Sequence, residues 1–280
     1  MDNIADEMLA LVEKTTSRAN REQEGDYRKE GVLYCGKCNT PKEYFIERLG
    51  KKQRCVCRCA DEEERKRKED ETRSIISKLR VECFGSDSSL FKCTFDNADG
   101  KDSDIFGRAK YYVKEFDNYY KQGKGMLFYG GVGSGKTYLV ACIANALIDK
   151  QKRCLLTDFP SINCKWNNIN ERDKIIPDLL SYDLLIIDDF GAERKTDSMV
   201  EMVYTIIDKR LKANKPIVLT SNISKDELLN PQNLSDRRII SRLYESVIPY
   251  DFTCEDRRKA KMIEAKKEFE EAYNKSLNAI

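Results

Sequence analysis

Met126-Leu127-Phe128-Tyr129 runs directly into Gly130-Gly131-Val132-Gly133-Ser134-Gly135-Lys136-Thr137, and residues Thr137–Lys150 then read as a helix. A short apolar strand, a glycine-rich turn closing on Gly-Lys-Thr and a helix start together make the context of a phosphate-binding loop. The glycines let successive backbone N–H groups converge on phosphate oxygens with no Cβ in the way. The helix adds the positive end of its dipole. The pattern predicts that Lys136 reaches the β- and γ-phosphates of ATP and that the Thr137 hydroxyl ligates Mg²⁺. With the adjacent Tyr138, the eight residues Gly130, Gly131, Val132, Gly133, Ser134, Gly135, Lys136 and Thr137 form the expected nucleotide-binding set.

Working outward, short apolar runs alternate with helical segments. Strands are expected at Arg153–Asp158, Leu184–Asp188 and Pro216–Thr220, and helices at Ile105–Tyr120 and Ser198–Ala213. That alternation indicates an α/β fold, a parallel sheet flanked by helices on both faces.

Leu184-Leu185-Ile186-Ile187-Asp188-Asp189 is an apolar strand ending in two carboxylates. In an open parallel sheet such groups arrive at the carboxyl edge, where ligands bind. Asp188 is expected to hold Mg²⁺ and Asp189 to polarise the attacking water. The plainer reading, a cap on the turn before Gly191, loses weight because a phosphate loop lies about fifty residues upstream. Asp189 is one methylene shorter than the glutamate common at this position, so slow hydrolysis is expected.

Two further candidates follow. The run Pro216–Asn222 ends in polar residues, and Asn222 is a candidate γ-phosphate sensor; the rival reading is a loop asparagine opening a turn before Ser224. In Asp236–Glu245, Ile239, Ile240 and Leu243 share an apolar helical face, whereas Arg242 projects differently. Arg242 is either an arginine finger reaching a neighbouring subunit's ATP, which would be worth about 10³–10⁵ in rate, or a surface arginine paired with Glu245. Asp256-Arg257-Arg258 opens the last helix, and Arg258 is a candidate second sensor within the same subunit.

Upstream, Cys35-x2-Cys38 faces Cys55-x-Cys57-x-Cys59 about 16 residues further on, a zinc-ribbon-like arrangement. The chain has no histidine, so a zinc site must be built from cysteine, with or without the help of a carboxylate. A redox CxxC and an iron–sulfur cluster are the alternatives, the former without a surrounding thioredoxin-like strand–helix unit. Cys35 and Cys38 are the expected ligands. Cys55, Cys57 and Cys59 compete for the remaining two positions, with Cys57 and Cys59 preferred. The other six cysteines read as small buried apolar residues. Residues 3–20 have helical periodicity with one apolar face. Asp61–Glu71 is almost pure mixed charge, a solvated helix or hinge supported by i,i+4 pairs. Gly85–Ser89 reads as a linker. The expected division is therefore 1–85, a helix plus a cysteine-rich zinc module, and 86–280, the nucleotide domain.

The 280 residues carry a formal net charge of only +2, which excludes a strongly basic nucleic-acid-binding protein and leaves only a local patch. There is no basic, apolar leader and no stretch of roughly 18 apolar residues. A cytoplasmic protein with no membrane segment is expected, and eleven cysteines then suit a reducing compartment.

The ordered set of segments Phe91–Asn97, GGVGSGKTYLVACIANAL, LLIIDDFGAE, IVLTSN and RRIISRLYE, behind a cysteine module, resembles the helicase-loader ATPases of the DnaC/DnaI type. These are relatives of the IstB-like transposition helpers. The resemblance implies an AAA+ domain, Arg242 as the trans finger, and Asn222 and Arg258 as sensors. It also implies an N-terminal module that meets a hexameric replicative helicase, ATP-dependent self-assembly, and delivery of the helicase to single-stranded DNA. Cys254 stands where the family often has glycine. Residues 160–180 would be the extra helical insert of initiator-type members, in which Lys165, Trp166 and Arg172 either touch DNA or, for Trp166, pack in the core. Two rival functions stay open: a transposition helper acting on double-stranded DNA, and a zinc-binding adaptor with a structural nucleotide.

Overall fold

The computed structural model describes residues 22–99, 103–193, 196–252 and 257–277. The periodic segment 3–20 and Cys254 lie outside these. The chain divides into two compact units between Ile75 and Ile76, ten residues before the boundary expected at 85.

The first unit is built from two small hairpins. Strands β1 (Tyr27–Lys29) and β2 (Val32–Tyr34) pair antiparallel, as do β3 (Glu43–Ile46) and β4 (Lys51–Arg54). So few residues bury little apolar surface, and Leu33 is the one fully buried leucine of this unit among the described residues. A buried ion pair supplements it: Lys42 Nζ lies 2.5 Å from Asp26 Oδ2, with both side chains almost wholly buried. Asp26 also accepts from the backbone N–H of Gln23 at 2.9 Å and of Gly36 at 3.1 Å. The lysine bond and these amides hold the Asp26 carboxyl down at about 2.

Helix α1 (Arg58–Phe84) carries the charged run. Arg58–Glu62, Arg65–Glu69, Arg67–Glu71 and Glu64–Lys68 pair one turn apart, as the sequence predicts, and each such exposed pair contributes only about 0.3–0.5 kcal/mol. The last residues of α1 change character: Cys83 and Phe84 are buried in the core of the second unit.

In that second unit, α2 (Asp104–Lys114) and α3 (Phe116–Lys121) precede β5 (Gly125–Tyr129) and α4 (Lys136–Asp149). Then come β6 (Cys154–Thr157), α5 (Phe159–Trp166), α6 (Ile169–Ser181) and β7 (Leu184–Phe190). They are followed by α7 (Asp197–Lys212), β8 (Ile217–Ser221), α8 (Lys225–Leu229), α9 (Leu234–Ser246), β9 (Val247–Asp251) and α10 (Arg257–Leu277). The five strands form one parallel sheet in the order β6-β7-β8-β5-β9. Strand alternation assigns the two cores. Met126, Phe128, Leu184, Ile186 and Val218 pack on the side of α4; Leu127, Leu185, Ile187, Ile217 and Leu219 pack on the side of α7 and α9. A strand buried on both faces reads as an unbroken apolar run, which is why β5, β7 and β8 stand out in the sequence.

Strand β9 escapes that reading, because it is an edge strand containing Pro249, where no partner needs the missing N–H. The expected single helix 105–120 is broken at Glu115. Of the six scattered cysteines, Cys83, Cys93, Cys142 and Cys154 are buried as expected, but Cys164 is exposed. Trp166 is buried in the second core with the Arg172 guanidinium 4.9 Å over its ring. Arg210 is also buried. It donates to the carbonyls of Leu179 at 2.6 Å, Tyr182 at 3.2 Å and Pro216 at 2.5 Å, tying the end of α6 to the starts of β7 and β8. Burial pulls its guanidinium down to about 10, still charged at neutral pH. Among the described residues no helix is long and apolar enough to cross a membrane.

Candidate active site and cysteine cluster

β5 delivers the chain to Gly130 at the carboxyl edge of the sheet. Gly133 and Gly135 adopt φ of +77° and +100°, the left-handed region that side chains disfavour, and α4 starts at once with Lys136. The Lys136 ammonium is buried and donates to the carbonyls of Gly130 at 3.0 Å and Gly131 at 2.8 Å and to Ser134 Oγ at 3.3 Å. A cavity of about 420 Å³ opens over the loop. Val132, Gly133, Ser134, Gly135, Lys136, Thr137 and Tyr138 line it from the loop side, and Asp189 and Asn222 from the sheet edge. Gly130 and Gly131 are not among its lining residues, and their carbonyls accept from Lys136 instead.

The second acidic strand meets the loop as expected. Thr137 Oγ1 donates to Asp188, 2.9 Å from Oδ2 and 3.2 Å from Oδ1. Thr220 Oγ1 donates to Asp188 Oδ1 as well. Burial raises the Asp188 carboxyl, and the two hydroxyl bonds work against that rise. Asp189 is exposed to the cavity and accepts from Asn222 Nδ2 at 3.0 Å. The hydroxyl of Thr137, the carboxylates of Asp188 and Asp189, and the amide of Asn222 thus surround one small volume. A hard cation needs oxygen ligands beside phosphate, and Thr137 with Asp188 provides them, so the donor set fits Mg²⁺.

Two residues of this cavity carry no such signal in the sequence: Asn97 and Asp99 also line it. Asn97 closes the Phe91–Asn97 segment, which is pinned onto α4. Asn145 Nδ2 donates to the carbonyls of Leu90 at 2.8 Å and Cys93 at 2.9 Å, and Tyr138 Oη to that of Thr94 at 3.4 Å.

Arg242 lies elsewhere, on α9, in an open groove of about 890 Å³ with Tyr204, Arg237 and Arg238. Its Nη1 is 3.1 Å from Glu245 Oε1, the pairing foreseen for a surface arginine, and its Nε is 3.5 Å from Asp208 Oδ1. It does not enter the cavity of its own chain. The Arg258 side chain lies outside the described residues.

In the first unit, Cys35 and Cys38 follow β2, and Cys57 and Cys59 follow β4, where α1 begins. Their four Sγ atoms all lie within 4.8 Å of one another. Cys55 turns away, its thiol donating to the Pro41 carbonyl at 3.3 Å. A tetrahedral site with Zn–S near 2.3 Å sets its sulfurs about 3.8 Å apart, so the cluster can hold a metal ion. The backbone N–H groups of Cys38 and Lys37 hold the Cys35 thiol low, and the Thr40 hydroxyl brings Cys38 to about 5. Bonding to Cys57 and the other two thiols pushes Cys59 up to about 12. Some of these sulfurs ionise readily while their neighbour resists, the balance a bound dication would tip towards four thiolates.

The family model for the bacterial DnaA ATPase domain matches residues 93–248, more than half of the chain. The chain belongs to this family. Its AAA+ ATPase domain, on that match, begins at the segment pinned by Asn145 and ends within β9. A Bacillus subtilis (strain 168) protein named replicative helicase loader DnaI is 28% identical over 210 residues, covering 69% of this chain and 66% of the relative. Replicative helicase loader DnaC of Escherichia coli (strain K12) is 26% identical over 169 residues, covering 59% of this chain and 60% of that protein. The chain thus spans under two thirds of the length of these relatives. Among solved structures, that of DnaI matches with a TM-score of 0.51 at 24% identity, over 60% of this chain and 92% of that one. The DnaC helicase loader matches at 0.52 and 21%, over 59% and 98%. These two likenesses concern the fold.

Proposed function

We propose that this protein is an ATP-dependent loader that delivers a hexameric replicative helicase onto single-stranded DNA in the cytoplasm. One observation carries the reading. Lys136, Thr137, Asp189 and Asn222 converge on a single cavity, with Asp188 bonded to Thr137, in a DnaA-type ATPase domain whose relatives include proteins named replicative helicase loaders.

The residues divide the work as follows. Loop amides and Lys136 bind the β- and γ-phosphates. Thr137 and Asp188 are the ligands for Mg²⁺, which when bound supplies the positive charge that offsets charge developing on the phosphates. Asp189 takes the proton of the attacking water, and Asn222 holds that carboxylate in place. Arg242 serves the ATP of the next subunit in an ATP-dependent assembly, so its own cavity has no need of it. Cys35, Cys38, Cys57 and Cys59 bind zinc, contributing about 10–16 kcal/mol to folding a unit with almost no core.

The test is a pull-down of purified replicative helicase by this protein with ATP, with Lys136→Ala as control, together with phosphate release with and without single-stranded DNA. Capture of the helicase by the wild type in ATP supports the reading. Failure to capture it, with ATP bound and hydrolysed normally, points to another client of the same ATPase.

A further inference from the structure

We propose that Thr220 is a positioning residue for ATP turnover, its hydroxyl holding the Asp188–Asp189 segment in the one backbone shape that presents both carboxylates to the phosphate site. The proposal rests on the roles given above to Asp188 and Asp189.

The pairing of β7 with β8 shifts register between Ile187 and Phe190. Asp188 and Asp189 therefore occupy a bulge, where regular ladder bonds are lost and the chain re-aims its side chains. Asp189 has φ of +53°, a left-handed conformation that a non-glycine residue keeps only when its surroundings impose it.

What imposes it is three consecutive residues, the last two of the neighbouring strand β8 and the one that follows it. Thr220 Oγ1 accepts from the Asp189 backbone N–H at 2.9 Å and donates to Asp188 Oδ1. Ser221 Oγ donates to the Phe190 carbonyl at 2.6 Å, and Asn222 Nδ2 to Asp189 Oδ1 at 3.0 Å. Of the three, Thr220 alone reaches both acidic residues. A hydroxyl has a single proton, so donating to Asp188 leaves its lone pairs for the Asp189 amide, and both bonds are used at once.

Burial argues against a packing role alone. Thr220 is completely buried in the middle of a parallel sheet, and valine fills the same space there without a hydroxyl to desolvate. A threonine at such a place is explained by what its oxygen touches.

The full-length chain tests this with two variants. Thr220→Val keeps the shape and removes the oxygen; Thr220→Ser keeps the oxygen and removes a methyl. ATP affinity, kcat for phosphate release and amide exchange of the peptide containing Asp189 are measured in each. Thr220→Val should lower kcat by about ten- to a hundredfold, the scale of a misplacement near 1 Å, with ATP affinity nearly unchanged and faster exchange at Asp189. Thr220→Ser should recover both kcat and exchange protection. Unchanged kcat and exchange in Thr220→Val overturn the proposal, as does Thr220→Ser proving no better than Thr220→Val, which would make the methyl the important part. If the wild type itself fails to turn over ATP, the assigned carboxylate roles fall, and the exchange measurement still decides whether Thr220 anchors the bulge.

Discussion

Asn222 Nδ2 donates to Asp189 Oδ1 at 3.0 Å, one oxygen of an exposed carboxylate that lines the cavity being held by its neighbour there. Replacing Asp189 by Asn keeps its size and removes its basicity. Asp189→Asn should bind ATP with near wild-type affinity and lose about 10²–10⁴ in kcat, the usual contribution of a positioned base. A fluorescent-nucleotide titration beside a phosphate-release assay separates the two quantities.

Arg242 sits in a groove with Glu245 and Asp208, away from its own chain's phosphate loop. Arg242→Ala should leave ATP binding intact and abolish the part of the ATPase rate that rises with protein concentration. Rates measured over a dilution series check this. Equal concentration dependence in the two proteins would remove the trans-finger role.

The cysteine cluster makes an asymmetric forecast. Cys35→Ser should lose bound zinc and unfold the first unit, because the four Sγ atoms form one site. Cys55→Ser should retain one zinc per chain, since that thiol points to the Pro41 carbonyl. Metal content by mass spectrometry and the far-ultraviolet spectrum after chelation report both. Reactive thiols should number four more in the chelated protein than in the loaded one.

The Asp26–Lys42 pair gives the first unit an acid limit. Its carboxyl is held at about 2 in the folded protein, against about 3.9 when unfolded. A carboxyl depressed by folding stabilises above the unfolded value, and the benefit is lost as pH falls through the folded one. Stability from this pair should thus be full above about pH 5 and decline towards pH 2. Asp26→Asn should flatten that part of a melting-temperature profile and lower the melting temperature at pH 7, where the buried Lys42 has lost its carboxylate.

Much of this was legible beforehand for a physical reason. Strands β5, β7 and β8 are buried on both faces, so they appear as unbroken apolar runs. The loop before α4 needs glycine where φ is positive, so Gly133 and Gly135 announce it. Neither signal exists for β9, an edge strand with a proline, or for polar residues whose meaning is set by distant neighbours. Asn145, Arg210 and Thr220 are ordinary letters in the sequence, and each works by meeting backbone or carboxylate groups from separate segments. Spacing alone left Cys55, Cys57 and Cys59 in competition; the fold gathers Cys57 and Cys59 with Cys35 and Cys38, while the Cys55 thiol bonds to the Pro41 carbonyl. Asn97 and Asp99 could not be placed at the cavity without knowing that their segment folds over α4.

The ammonium of Lys136 is engaged by two carbonyls of its own loop. A ligand recruits it only by offering more than those neutral dipoles do, and charge-assisted bonds are roughly twice as strong as neutral ones. Discrimination among adenine nucleotides should therefore follow the number of phosphates that extend as far as this side chain. A monophosphate, too short to reach the lysine, should leave its two carbonyl bonds in place and bind weakly.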